Sequence, residues 1–207
     1  MNIRLTVALI FASALLLSCA APVRQQERAG FISDYSNLKE AESNAFIYDG
    51  PNLNRYTVFY FTEGELLFDP AQGDAEITKD DLEELMAYFR EKMIEEVTKD
   101  DGYTVVDKPG EGVATVRWGL TAVDATIGVL NVSIATKITG AGLGGAAMEG
   151  EIVDSITGEQ IAASIRWGSG SRILRAGITK LGDAKIQVND WAKALRRRLD
   201  EAHGKSS

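Results

Sequence analysis

The chain has 207 residues, with 22 Lys and Arg against 30 Asp and Glu, a net charge of −8 at pH 7. Its 45 % hydrophobic content is ordinary for a globular domain, and its length suits one such domain. The acidic balance lacks the basic footprint of nucleic-acid binding, so no nucleic-acid partner is expected. The only cysteine, Cys19, excludes an intramolecular disulfide.

Residues 1–18 read as a secretory signal. Arg4 supplies the positive end, Leu5 to Leu17 the apolar run and Ser18 the small residue before a cut. The run is short for a transmembrane helix, which needs roughly 20 apolar residues. Leu16-Leu17-Ser18-Cys19 is the signature of a bacterial lipoprotein, cleaved just before the cysteine. Cys19 is therefore the expected lipidation site, carrying a diacylglyceryl group and a palmitate-type N-acyl chain. Two such signals meet the requirement for stable anchoring. The alternative is an uncleaved N-terminal helix with Cys19 as an inert thiol. Ala20 and Ala21 follow the cysteine where Asp would favour retention in the inner membrane. That is similar to outer-membrane sorting, which puts the domain in the periplasm or at the cell surface, with the periplasmic face expected. Without residues 1–18 the net charge is −9, because that segment contains one basic residue, Arg4.

Residues 19–29 form the lipidated cysteine and a small, polar tether. A single α+β domain is expected over 30–203, followed by a short tail, 204–207. Gly30 to Lys39 mixes aromatics with turn formers and shows no period. Tyr56 to Phe61 is a β-branched and aromatic strand, and Glu65 to Phe68 extends it or forms a second short strand. Leu82, Leu85, Met86, Phe89, Met93 and Val97 then recur at helical spacing. The spacing predicts a helix over 79–98, capped by Thr78, with Asp80 and Asp81 in its first turn and Asp100-Asp101-Gly102 at its end. Strands are predicted at 103–107, 113–123, 148–155 and 160–167, the last pair joined by Thr157-Gly158-Glu159. A final helix capped by Asp183 lines Val188, Trp191, Ala192, Leu195 and Leu199 on one face, with Arg196, Arg197 and Arg198 near its C-terminus. The order predicts a two-layer α+β sandwich: one mixed sheet with two amphipathic helices packed on it.

Few residues form a chemical constellation. Gly140 to Gly145 matches G-x-G-x-x-G, but that pattern binds a dinucleotide only when a helix follows, and Met148 to Val153 reads as a strand. Ala125 to Ala147 is apolar, glycine-rich and carries one charge, Lys137. It reads as a strand and glycine loop, or as a membrane-facing or oligomer-facing hairpin. Val129 to Ile138 alternates well enough for one membrane strand, so Val132 and Ile134 are candidate interaction residues. Ser33, Asp34, Tyr35 and Ser36 form a polar-aromatic knot, which reads as a capped turn where the chain joins the domain. Arg166 and Trp167 are a candidate peptide or glycan contact, since both types are enriched at hot spots. The single histidine, His203, cannot build a triad or a histidine-rich metal site. Glu83, Glu84, Glu91, Glu95 and Glu96 read as a solvated helix face. No catalytic residue, cofactor or metal site is expected.

Gly30-Phe31-Ile32-Ser33-Asp34-Tyr35-Ser36 followed by Leu38 resembles the opening motif of a bacterial outer-membrane lipoprotein family defined as domain of unknown function 3313. Ala87-Tyr88-Phe89-Arg90, Val105-Val106-Asp107 with Gly110, and Gly150-Glu151 running to Thr157-Gly158-Glu159 are also similar. The resemblance implies a lipoprotein and supplies no catalytic residues. The strand–helix order is also similar, at the level of fold, to periplasmic domains of curli-secretion lipoproteins and of the Tol translocation system. The expected function is a non-enzymatic interaction or assembly module of the cell envelope, joined to the membrane through its lipid and to an envelope protein or further copies of itself. The rival is an oligomeric secretion or pore component using residues 125–147. An envelope hydrolase would need a buried carboxylate pair or a nucleophile.

Overall fold

The computed structural model describes residues 28–42, 44–70, 77–124, 145–169 and 181–205. Eight strands form one mixed sheet: β1 (Lys39–Glu42), β2 (Ala45–Asp49), β3 (Val58–Phe61), β4 (Glu65–Leu66), β5 (Thr104–Val106), β6 (Val113–Asp124), β7 (Gly145–Asp154) and β8 (Gln160–Ser169). Their order is β1-β2-β8-β7-β6-β3-β5, with β4 also on β6. The long strands β6, β7 and β8 are antiparallel neighbours at the centre. β3 and β4 run parallel to β6 along one side of it, so they act as one strand broken at Thr62–Gly64.

Two helices, α1 (Lys79–Thr98) and α2 (Gly182–Ala202), pack on each other and cover one face of the sheet. The two-layer α+β arrangement is the one the periodicity predicts. α1 has the predicted bounds. Thr78 and Asp81 form a reciprocal capping box, which satisfies two amide donors that a helix start would otherwise leave open. Asp100 and Asp101 both take positive φ, 50° and 54°, a conformation no helix continues through.

The core follows strand alternation. Ala114, Val116, Trp118 and Leu120 of β6 and Met148 and Ile152 of β7 meet Leu85, Phe89, Met93, Val188 and Trp191 of the helices. Trp118 and Phe89 cross edge to face at 4.8 Å. At the β7–β8 turn Asp154 accepts bonds from the Thr157 amide (2.7 Å), the Tyr56 hydroxyl (2.8 Å) and the Ile156 amide (2.9 Å), which hold its carboxyl down to about 2.

The structure corrects one local expectation, the Asp183 cap, and adds to two others. Gly30 to Lys39 carries no period because most of it crosses the sheet as a strap; β1 and β2, which follow, were not predicted. Asp183 does not cap α2. Leu181 occupies the cap without a side-chain bond, and Asp183 is buried in the first turn. The three arginines do more than serve the end of their own helix, where Arg196 pairs with Asp200 and Arg197 with Glu201. Arg196 Nη1 donates to the carbonyls of Glu96, Val97 and Lys99 and so caps α1, while Arg198 holds Asp49 of β2.

Candidate functional site: a carboxylate clamp under an N-terminal strap

The face of the sheet opposite the helices is crossed by residues 29–38. β7 presents Ala147, Glu149, Glu151 and Val153 on that face, since alternate strand residues share a side. Glu149 is 1 % exposed and Glu151 2 %. Burying two carboxylates costs far more than it returns unless each oxygen finds donors, and the strap supplies most of them.

Glu149 Oε1 accepts the Ala29 amide at 2.5 Å. Its Oε2 accepts the amides of Phe31 (3.2 Å) and Ile32 (3.4 Å) and the Tyr35 hydroxyl (2.5 Å). Glu151 Oε2 accepts the Ser33 amide (3.0 Å), the Ser33 hydroxyl (2.7 Å) and Gln160 Nε2 (2.9 Å). Its Oε1 pairs with the Arg117 guanidinium of β6. All four carboxylate oxygens are therefore occupied.

The strap is shaped to deliver those donors. Tyr35 Oη accepts the amides of Gly30 (2.9 Å) and Ile32 (3.2 Å) while donating to Glu149, which closes residues 30–35 into a loop. Burial and the Glu149 carboxylate raise the Tyr35 phenol, so it stays a donor. Asp34 accepts the Ser36 amide at 2.8 Å, a side-chain turn that holds its carboxyl below the usual range. Beneath the loop, Ile32 and Leu38 pack on Phe46, Ala163 and Ile165, a second apolar cluster that the helices do not touch. The knot at residues 33–36 is the turn expected from the sequence, with a larger task. Its partners Glu149 and Glu151 were missed as a site. The available signal was Ala147 and Val153 on their face, marking that face as covered.

Burial opposes the charge on Glu151, but bonds from Gln160, Ser33 and Arg117 outweigh it and leave the carboxyl below its ordinary value. A carboxyl depressed in the folded state contributes stability that is present above its unfolded pKa, about 4.3, and lost as pH falls through the lower folded value. Amide-exchange protection at Ser33 is thus expected to stay level from neutral pH down to about 5 and to fall only in stronger acid. Glu151→Gln should flatten that dependence; an unchanged profile would refute the assignment.

Among the described residues, no group of three or more His, Cys, Asp or Glu is placed to hold a metal, and no helix is long and apolar enough to cross a membrane. Cys19, Val132 and Ile134 lie outside the described residues, as does Gly140–Gly144; Gly145 opens strand β7, not a helix. Arg166 and Trp167 fall on opposite faces of β8. Arg166 is 6 % exposed on the helix side and pairs with Glu42 at 3.5 Å; Trp167 is half-buried on the strap side, 5.8 Å from the Phe46 ring. His203 follows α2, with Nδ1 2.7 Å from the Leu199 carbonyl. Lys79–Glu83 and Lys92–Glu95 pair along α1, and Glu84 reaches across to Lys185 of α2.

A family model described as "Protein of unknown function (DUF3313)" matches residues 27–195. The chain belongs to this family. Its matched region opens at the strap and includes both clamp glutamates. No curated protein matches the chain. Among solved structures it is similar to two PelC dodecamers from Paraburkholderia phytofirmans. One is in space group P6, with 9 % identity and a TM-score of 0.45; the other is a variant in space group C2, with 10 % and 0.42. Each comparison covers 79 % of this chain and 98 % of that one.

Proposed function

We propose that this family member is a lipid-anchored lipoprotein of the outer membrane whose α+β domain is a non-enzymatic interaction and assembly module, facing the periplasm. The observation that carries the reading is the clamp. The segment leading from Cys19 joins the fold on the central strand β7, through side chains buried for that purpose. Residues 19–29 span at most about 35 Å when extended, so a lipid on Cys19 would keep the domain close to the bilayer. The buried carboxylate pair that a hydrolase would require has its oxygens filled by the strap, Gln160 and Arg117, which supports a structural use of both groups.

The rival, an oligomeric secretion or pore component, has one observation in its favour. Asp124 and Gly145 are register partners at the end of the β6–β7 ladder, so residues 125–144 leave and return at one end of the sheet's longest hairpin.

One experiment addresses both. The lipidated protein is extracted in mild detergent, its mass is measured by light scattering, and co-eluting proteins are identified. A small complex with one repeatable envelope partner supports the module. A large homo-oligomer that Val132→Asp or Ile134→Asp dissolves supports the rival. The anchor is tested by Cys19→Ser, which should move the protein from the membrane fraction to the soluble one and abolish palmitate labelling; unchanged fractionation would overturn the lipoprotein reading.

A further inference from the structure

The cleft between the sheet and α2 has a charged end and an apolar end. Ser164 and Arg166 of β8 and Arg198 of α2 line the first; Met93, Trp118 and Trp191 line the second. The space measures about 40 Å3, whereas one water needs roughly 10–15 Å3, so a few heavy atoms fit without moving the walls.

The charged end is short of acceptors. The Arg166 side chain is 7 % exposed, and Nη1 lies 3.5 Å from Glu42, which Arg197 shares at the same distance. Arg166 Nη2 is buried with no hydrogen-bond partner. Arg198 beside it is also only a donor, and it uses the nearby acceptors, Asp49 and the carbonyls of Tyr48 and Ala163. Glu42, Asp49 and Glu201 balance the charge of Arg166, Arg197 and Arg198 in this corner, yet none of the three carboxylates reaches Arg166 Nη2. A buried charged donor left without an acceptor bears its full desolvation penalty, and the structure holds it beside a cavity.

We propose that this cleft binds a small carboxylate with a short apolar chain, the carboxylate taking Arg166 Nη2 and the chain lying against Met93, Trp118 and Trp191. A planar carboxylate matches the guanidinium fork better than a spherical anion does. The apolar walls reject a bare charge and favour a chain of a few carbons. The site is separate from the strap and goes beyond the role proposed above.

Tryptophan indole signals provide the test, because Trp118 and Trp191 line the cleft while Trp167 lies on the other face. The full chain, labelled with nitrogen-15 and held in detergent, is titrated with butyrate, acetate, n-butanol and butylammonium up to about 10 mM, a range suited to weak ligands. Butyrate should shift the Trp118 and Trp191 indoles and leave Trp167 in place. Acetate should bind more weakly, and butanol and butylammonium should leave the signals unmoved. Arg166→Met should weaken butyrate binding by roughly 10–100-fold, as expected for a hydrogen bond to a charged group. Arg166→Lys, which keeps the charge without the fork, should weaken it less and serves as the variant to measure if the methionine form does not fold. The proposal is overturned if butyrate moves neither indole, if butanol moves them equally, or if every folded Arg166 variant binds butyrate like the parent.

Discussion

Glu149→Ala is expected to cost about 3 kcal/mol and to free the strap while leaving the sheet intact. The substitution orphans the Ala29 and Phe31 amides and the Tyr35 hydroxyl, while the Ile32 amide keeps Tyr35 Oη as its acceptor. Left in place, each buried donor would cost about 1–3 kcal/mol. The strap has an escape, because once it lifts from the sheet those donors return to water. The loss is therefore limited to the free energy that docks residues 29–38, including burial of Ile32 and Leu38. This predicts a local opening, not global collapse. Amide exchange should accelerate at residues 29–35 and stay slow in α1 and β6. Uniform acceleration across the domain would mean that the sheet depends on the strap. No acceleration would mean that Glu149 does not hold it.

Trp118→Ala is expected to cost about 3–5 kcal/mol, the usual range for emptying a large aromatic site in a core. Trp118 is 1 % exposed and stacks edge to face on Phe89, and its Nε1 donates to the Thr62 carbonyl at 3.2 Å. Gly64 rides directly on the ring: its φ is +85°, and any Cβ there would fall 2.4 Å from the indole. The indole thus supports the break between β3 and β4 as well as the helix layer. Urea unfolding should show a lower midpoint, and Leu66 should lose protection more than Val58. A loss below about 1 kcal/mol would show that the surrounding residues close over the gap.

The helix layer was legible because its signals are local. Leu82, Leu85, Phe89, Met93 and Val97 repeat at helical spacing and are the buried residues of α1, and Thr78 caps it through residues three positions away. The sheet was legible where strands are long and apolar, as in β6 and β8. β1 escaped because all four of its residues are exposed at the sheet edge, where Lys and Glu discourage further pairing and erase any period. The clamp escaped for another reason. Glu149 lies 120 residues from Ala29, and nothing within β7 says that its glutamates meet backbone amides instead of water. The segments that carry the family resemblance contain the strap, Gly30 to Leu38, and one of the two clamp glutamates, in Gly150-Glu151. The resemblance marked the pieces, and only the fold joins them. Arg166 and Trp167 show the same limit: adjacent in sequence, they are separated by the thickness of the sheet.

The strap also sets how the domain responds to a pull on its N-terminus. Its bonds to Glu149 and Glu151 follow in chain order from Ala29, Phe31, Ile32 and Ser33 to Tyr35. Tension arriving from residue 28 loads them one after another, as in opening a zip, and reaches the β1–β2 ladder only after the last has parted. Side-chain bonds broken singly yield at lower force than a ladder sheared as a unit. Peeling residues 29–38 releases about 33 Å of extended chain. The strap is in that sense a mechanical fuse. Under load the domain gains reach first, and its helices, core and cleft stay folded while the slack is taken up.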